Sequence, residues 1–436
     1  MTGFQNECSM KQGGSGSTAD EKVRELPEQK QRMEQLWMLT RLLPDWYRTH
    51  KRDLPWRETG DPYDVWLSEI MLQQTRVEAV KSYFLRFKQA LPDIAALAAC
   101  PDDRLMKLWE GLGYYSRVRN LRKCAQLLEA EYGGRLPADP EKLLKLPGIG
   151  SYTAGAIASI AFSLPVPAVD GNVLRVYARV TGDPSDIALP QTKKRVETEL
   201  AEVIREAAQG AVSGVSDQIT FSPGVFNQAL MELGAIVCVP NGAPLCGRCP
   251  AEKICAARRE DRIAELPVRT GKKPRRIEER TIVILQDGER FLIQKRPDRG
   301  LLAGLYEFPS LSGKWEEKEV LTEVEALGFD PVHIRRLPDA KHIFTHVEWR
   351  MRGYLVKLAA ESRAVPVRCA EREKEKARSL PKTAVHPETD LHSEADWIRS
   401  RHFFVTKKEA AAAYALPSAF SAFTKELQIR TKTETE

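Results

Sequence analysis

The sequence predicts a multidomain protein in which an all-α region is followed by an α+β domain. Three observations carry this. The length of 436 residues exceeds one ordinary domain and leaves each of two enough chain to bury its own core. From about Met33 to Ala257 apolar residues recur at three and four, the helical period, interrupted by Pro and Gly. Beyond Arg276 the period changes: "RTIVILQD", "RFLIQKR" and "RMRGYLVKL" read as strands, and "GER" at Gly288 as a hairpin turn.

The first segment, residues 1–30, begins "MTGFQNECSMKQGGSGSTADEK". It is rich in Gly, Ser and charge, lacks the apolar core of a secretion signal, and is expected to be a disordered tail. Residues 31–257 form the helical domain. "RTGKKPRR", from Arg269 to Arg276, has five basic residues and no acid, and marks a linker spanning 258–279. Residues 280–430 form the second domain, in which Glu361 to about Ala395 is polar, Pro-containing and read as an insertion.

With 42% hydrophobic and 29% charged residues, and no apolar run near the roughly 18 residues of a membrane span, the expected setting is the cytoplasm without a membrane partner. A net charge of +6 permits a polyanionic partner without requiring one.

Of eight cysteines, Cys238, Cys246, Cys249 and Cys255 crowd into "CVPNGAPLCGRCPAEKIC". In a chain with no secretion signal this points to metal ligation rather than disulfides. The spacing C-x7-C-x2-C-x5-C suits tetrahedral zinc and a 4Fe-4S cluster equally.

"WLSEIMLQQTRVEAV" places Glu69 on a helix with Val65 and Leu72 as same-face neighbours, so burial is expected to raise its pKa. In "VDGNVLRVYARV", Asp170 precedes a helix whose Val173, Val176, Tyr177 and Val180 share a face. As an N-cap it is expected to stay ionised. Two carboxylates with pKa values pushed apart make an acid/base site if they converge; otherwise one is a cap and the other a solvated helix face.

In "ADPEKLLKLPGIGSYTAGAIASIAF", Asp139 is an expected N-cap, Pro140 a first helical residue and Pro147 a stop. The turn at Gly148 and Gly150 lets the backbone approach a ligand, and the helix beginning at Ser151 offers free N–H groups to a phosphate. A plain helical hairpin is the alternative. "LWEGLGYYSRVRNL" sets Tyr114 and Tyr115 beside Arg117, Arg119 and Arg122, which suits a nucleic-acid surface with a ring wedged into the stack, or equally a buried core.

Together "DPYDVWLSEIMLQQTRV", "GLGYYSRVRNL", "LPGIGSYTAGAI", "VDGNVLRV", "FNQALMELGA", the four cysteines and "GLLAGLYEFP" resemble the MutY type of adenine DNA glycosylase, a family of the helix-hairpin-helix superfamily. The resemblance covers nearly the whole chain after the tail. It implies a helical glycosylase region with a 4Fe-4S cluster on the four cysteines, then a Nudix-like domain that reads 8-oxoguanine. The implied partner is duplex DNA bearing A:8-oxoguanine or A:G mispairs, bound by a monomer.

By the same resemblance Glu69 matches the catalytic acid and Asp170 the carboxylate that stabilises the sugar cation. Tyr152 stands where the bifunctional endonuclease III branch has lysine; a phenol cannot form the Schiff base for strand cleavage, so a monofunctional enzyme is expected. Tyr114 matches an intercalating tyrosine and Gln74 a residue contacting the opened duplex, with Arg117, Gly148, Gly150 and Ser151 completing the expected DNA surface. Phe344, Thr345 and His346 match the lesion-reading loop, usually Phe-Ser-His. The chain departs from the family in its first cysteine gap, one residue longer than usual, in Thr345 for Ser, and in inserts near Gly210–Ser222 and Glu361–Ala395. The rivals are a bifunctional glycosylase/lyase, a Nudix pyrophosphatase, which "GKWEEKEVLTEVEALGF" disfavours by lacking the Arg-Glu-x-x-Glu-Glu core, and an inactive DNA-binding protein.

Overall fold

The computed structural model describes residues 19–210, 221–271, 274–359 and 402–429, with side chains from Glu28 onward. Most of the expected tail, residues 211–220 of the first expected insertion and all of the second lie outside the described residues; helix α1, Ala19–His50, begins within the stretch expected as a tail. Its Glu, Lys, Arg and Gln text has the propensity to extend a helix whose later turns are anchored by Leu36, Leu39, Leu43 and Trp46.

The helices α2 (Pro62–Leu72), α3 (Val77–Ala90), α4 (Ile94–Ala99), α5 (Asp102–Leu108) and α6 (Ser116–Tyr132) follow. Then come α7 (Pro140–Leu144), α8 (Ser151–Phe162), α9 (Gly171–Thr181), α10 (Pro190–Ala208), α11 (Pro223–Ile236) and α12 (Ala256–Arg259). The chain divides into two compact units, neither continuous in sequence. One comprises Met1–Glu69, Pro137–Lys145 and Ile149–Thr270; the other comprises Ile70–Leu136, Leu146–Gly148 and Gly271–Glu436. This division differs from the expected 31–257 and 280–430.

In the first unit, α1, α9, α10 and α11 bury one apolar cluster including Tyr177, Val196, Phe226 and Leu233. Gly155 permits α8 to pack against the segment before α9: a Cβ there would lie 2.0 Å from the Pro167 carbonyl oxygen. Much of the expected linker belongs to this unit. Leu266 is buried, its carbonyl accepts from Arg179, and the Thr270 N–H donates to Asp186.

The second unit contains α3 to α6 and a mixed sheet of β1 (Arg276–Asp287), β2 (Arg290–Lys295), β3 (Tyr306–Glu307), β4 (Ser310–Ser312), β5 (Pro331–Ile343), β6 (Val347–Leu358) and β7 (His402–Thr406). The main path runs β3-β2-β1-β6-β5, with β4 beside β1 and β7 beside β2. Only β1 and β6 pair in parallel among the described strands; β5 and β6 form an antiparallel hairpin. Helix α13 (Glu317–Ala326) covers one face, through Val320 and Val324, and α14 (Lys407–Ala413) and α15 (Ser421–Glu426) the other. Within this unit Lys107 and Glu110, both buried, pair at 2.7 Å. Lys107 also donates to the Tyr414 carbonyl, and Glu110 accepts the Leu416 N–H.

Candidate active site

Along α2, Tyr63, Val65, Trp66, Leu67, Ile70 and Met71 are all buried, and Glu69 among them is only 8% exposed. Burial pushes its carboxyl up to about 7; the Tyr152 hydroxyl and Arg57 oppose that rise, and the charge of Asp170 adds to it. Tyr152, on α8, donates to Glu69 Oε2 and also lies 3.3 Å from the Met231 sulfur. Its own pKa is raised well above the phenol range, first by burial and then by the two carboxylates, so it stays neutral.

Asp170 caps α9 as expected, its Oδ1 accepting from the Val173 N–H at 2.8 Å while Oδ2 accepts from Asn172 Nδ2 at 2.7 Å. The expected direction of its pKa does not hold: burial raises it, outweighing the cap bonds and Arg175. The two carboxylates still differ in what surrounds them. Both Asp170 oxygens face N–H donors, which favour the ionised form, whereas the Glu69 partner is a hydroxyl that can serve either protonation state. The structure thus brings Glu69, Tyr152 and Asp170 into one coupled group within the first unit.

Two further parts of this group escaped the sequence reading. Glu232 on α11 is 1% exposed and receives Arg52 through its N–H, Nε and Nη2, and Arg57 through Nη2, at 2.8 to 2.9 Å. These bonds hold its carboxyl down at about 2 against burial. Asn227, fully buried, takes the Ala168 N–H and donates to the Val166 carbonyl, fixing the segment that delivers Asp170. The signal was present: in "FNQALMELGA" an amide and a carboxylate sit among apolar residues at helical spacing, as Glu69 does.

Asp139 caps α7 through the Glu141 and Lys142 N–H groups, as expected. Gly148 has φ 79°, and a Cβ there would lie 2.7 Å from Asn120 Cβ, so the turn requires glycine. Gly150 is the N-cap of α8, and Ser151, exposed, donates to Glu197. In the second unit Gln74 and Tyr114 are exposed, and the Tyr114 hydroxyl lies 3.2 Å from the Thr345 hydroxyl. Phe344, Thr345 and His346 form the tip between β5 and β6. Thr345 and His346 are exposed, while Phe344 is half-buried, its ring 4.9 Å from Trp349. Arg117, expected on the DNA surface, is half-buried, and both its Nη atoms are engaged by protein oxygens.

All four cysteines line one pocket with apolar walls from Val176, Val180, Leu233, Val237 and Ile263. Arg179 reaches the Cys238 sulfur at 3.3 Å. Four soft sulfur donors on one pocket, which Arg179, Glu252 and Arg258 also line, suit an iron–sulfur group, in which each sulfur would meet its own iron. Among the described residues no three His, Cys, Asp or Glu side chains are grouped as ligands of a single ion. Nor is any described helix long and apolar enough to cross a membrane.

Residues 67–206 match the HhH-GPD superfamily of base excision DNA repair proteins, and residues 280–426 the NUDIX domain. With the buried carboxylate group on helices around a helical hairpin, this defines a DNA glycosylase of the helix-hairpin-helix class. The human adenine DNA glycosylase is 34% identical over 383 residues, covering 73% of this chain and 67% of that protein. That of Buchnera aphidicola from Schizaphis graminum is 31% identical, covering 74% and 89%. The chain belongs to the adenine DNA glycosylase family. Among solved structures, a thermostable thymine-DNA glycosylase matches with TM-score 0.44 and 25% identity, over 52% of this chain and 98% of that one.

Proposed function

We propose that this enzyme hydrolyses the N-glycosidic bond of adenine mispaired with 8-oxoguanine or guanine in duplex DNA, as a monofunctional enzyme that leaves the strand intact. The observation that carries this is the coupled group of Glu69, Tyr152 and Asp170. A carboxyl near pKa 7 is half protonated at neutral pH and can donate to adenine N7, making the base a better leaving group. Asp170, whose two oxygens accept from the Val173 N–H and the Asn172 amide, would as the anion stabilise the oxocarbenium character at C1′, and water completes the reaction. Tyr152 offers no amine, so Schiff-base chemistry has no nucleophile there. The adenosine must leave the stack to be reached, at a cost of a few kcal/mol; Gln74 and Tyr114 enter the duplex, while Gly148, Gly150 and Ser151 present N–H groups to phosphate.

Cys238, Cys246, Cys249 and Cys255 would hold a 4Fe-4S cluster, supported by the family and by the pocket all four line. When bound it would organise the loop between α11 and α12. Thr345 and His346 at an exposed tip offer a hydroxyl and an imidazole to the O8 and N7–H that distinguish 8-oxoguanine from guanine. All these residues come from one chain, so a monomer suffices, acting in the cytoplasm.

The test is a duplex with one A opposite 8-oxoguanine, incubated with and without alkali. Release of free adenine with scission only after alkali is expected. Scission without alkali would favour the lyase rival, and no adenine release would end the proposal. Thr345→Ala with His346→Ala should reduce the preference for A:8-oxoguanine over A:G at matched salt; an unchanged ratio would place lesion reading elsewhere.

A further inference from the structure

Two turns of the second unit end in exposed side chains held in the left-handed region: Gln74, at φ 61°, after α2, and Tyr114, at φ 47°, before α6. Neither is glycine, and Cβ crowding opposes that backbone, so contacts that hold each turn offset its cost. Arg117, in the first turn of α6, reaches both. Its Nη1 donates to the carbonyls of Ile70 at 2.6 Å, Met71 at 3.1 Å and Gln73 at 2.6 Å. Its Nη2 donates to the Thr75 hydroxyl at 3.4 Å and to the carbonyls of Leu112 at 3.1 Å and Gly113 at 3.3 Å. Gln73 and Gly113 are the residues immediately before the two left-handed tips.

The guanidinium carbon sits 5.5 Å from the Trp109 ring centroid and 5.4 Å from that of Tyr114, so the plane is packed as well as bonded. Burial pulls its pKa down to about 10, which leaves it charged at neutral pH. With both Nη atoms spent and Nε buried without a partner, it has no donor to offer a phosphate. The carbonyls of Ile70 and Met71 are among those that a helix end leaves unpaired, and here the arginine supplies the cap.

We propose that Arg117 is a positioning residue for opening the duplex: one guanidinium ties the turn carrying Gln74 to the turn carrying Tyr114 and sets the separation and aim of both side chains. This rests on reading those two residues as the ones that enter the base stack. A lysine keeps the charge but not the planar fork, and its three donors on one nitrogen cannot meet all the acceptors that the two turns present to Arg117.

The experiment compares Arg117→Lys with the unsubstituted full-length enzyme in single-turnover excision on two duplexes, one with adenine opposite 8-oxoguanine and one with adenine opposite an abasic site, where extrusion is easier. The expected loss on the paired substrate is about a hundredfold, the cost of displacing a positioning group by about 1 Å. Little loss is expected on the unpaired one. A 2-aminopurine beside the mispair should lose its fluorescence rise, and the alkaline limb of the pH profile should not move. On a Gln74→Ala, Tyr114→Ala background the same substitution should add nothing, since groups acting as a unit are not additive. Equal losses on both duplexes, or a full additional loss on that background, would overturn the proposal and assign Arg117 to holding the fold. If Gln74→Ala with Tyr114→Ala itself excised paired adenine at the full rate, the reading of the two tips would fail, independently of Arg117.

Discussion

Replacing Glu69 by Gln should have two opposite effects, because the same burial that makes the residue an acid makes it a liability to the fold. The carboxyl titrates near pH 7 in the folded protein against a usual value of 4.5. For a group raised on folding, the stabilising proton is fully present below the unfolded value and is lost as pH rises through the folded one. At about 1.36 kcal/mol per pH unit, the wild type is therefore penalised relative to a neutral side chain by about 2 kcal/mol at pH 6 and about 3 kcal/mol at pH 8.5. Gln removes that penalty while keeping the shape, so the variant should melt higher, with an advantage that grows up to about pH 7 and then levels off. It should also lose about a hundred- to ten-thousand-fold in single-turnover adenine release, the contribution of a general acid. Fluorescence-monitored melting at a series of pH values, alongside excision on an A:8-oxoguanine duplex, reads both quantities. A gain in melting temperature independent of pH would refute the electrostatic reasoning, and near-normal excision would remove Glu69 from its role.

Tyr152→Phe takes away a hydroxyl that favours the ionised form of Glu69, so the alkaline limb of the excision profile should move to higher pH by about one to two units, the worth of a hydrogen bond to a charged group; a downward move would mean the hydroxyl favours the protonated form. Gly155→Ala should destabilise by about 1–3 kcal/mol or more, since the methyl would meet the Pro167 oxygen and Asn227 holds the neighbouring segment in place; an unchanged urea midpoint would count against that packing. Protein purified without oxygen should be brown with about four irons per chain, and Cys249→Ser should lower both iron content and duplex affinity. A colourless, zinc-loaded protein with full activity would exclude the cluster.

How far the sequence carried the site depends on how local each cause was. Glu69 was legible because its burial is written in the residues one turn either side of it. The Asp170 cap was legible too, but not the direction of its pKa, because its burial comes from chain packed around it from elsewhere. Glu232 shows the same pattern as Glu69, yet its partners Arg52 and Arg57 lie 180 and 175 residues away, beyond what spacing can pair. Arg117 beside two tyrosines reads as a nucleic-acid contact on composition alone; only the fold reveals that its acceptors are backbone carbonyls. The two fold classes were legible from periodicity, whereas the compact units were not, since each is assembled from separated stretches and period carries no information about long-range association.

That assembly has a consequence for how the chain is made. Lys107 and Glu110 become a satisfied buried pair only when the backbone of Tyr414 and Leu416 arrives to bond them. Synthesis must run on for about 300 residues before that happens, roughly 15 to 60 seconds at about 5–20 residues per second. The first unit has all its segments once Thr270 has left the ribosome, but α3 to α6 emerge early and have to wait. We predict that a nascent chain stalled before Ala410 is cut readily by protease between residues 70 and 136, and that full-length chains are not; equal protection in both would show that α3 to α6 can close without the end of the chain. A late frameshift in the coding sequence would then expose helices laid down at its beginning, and quality control would meet damage far from the site of the error.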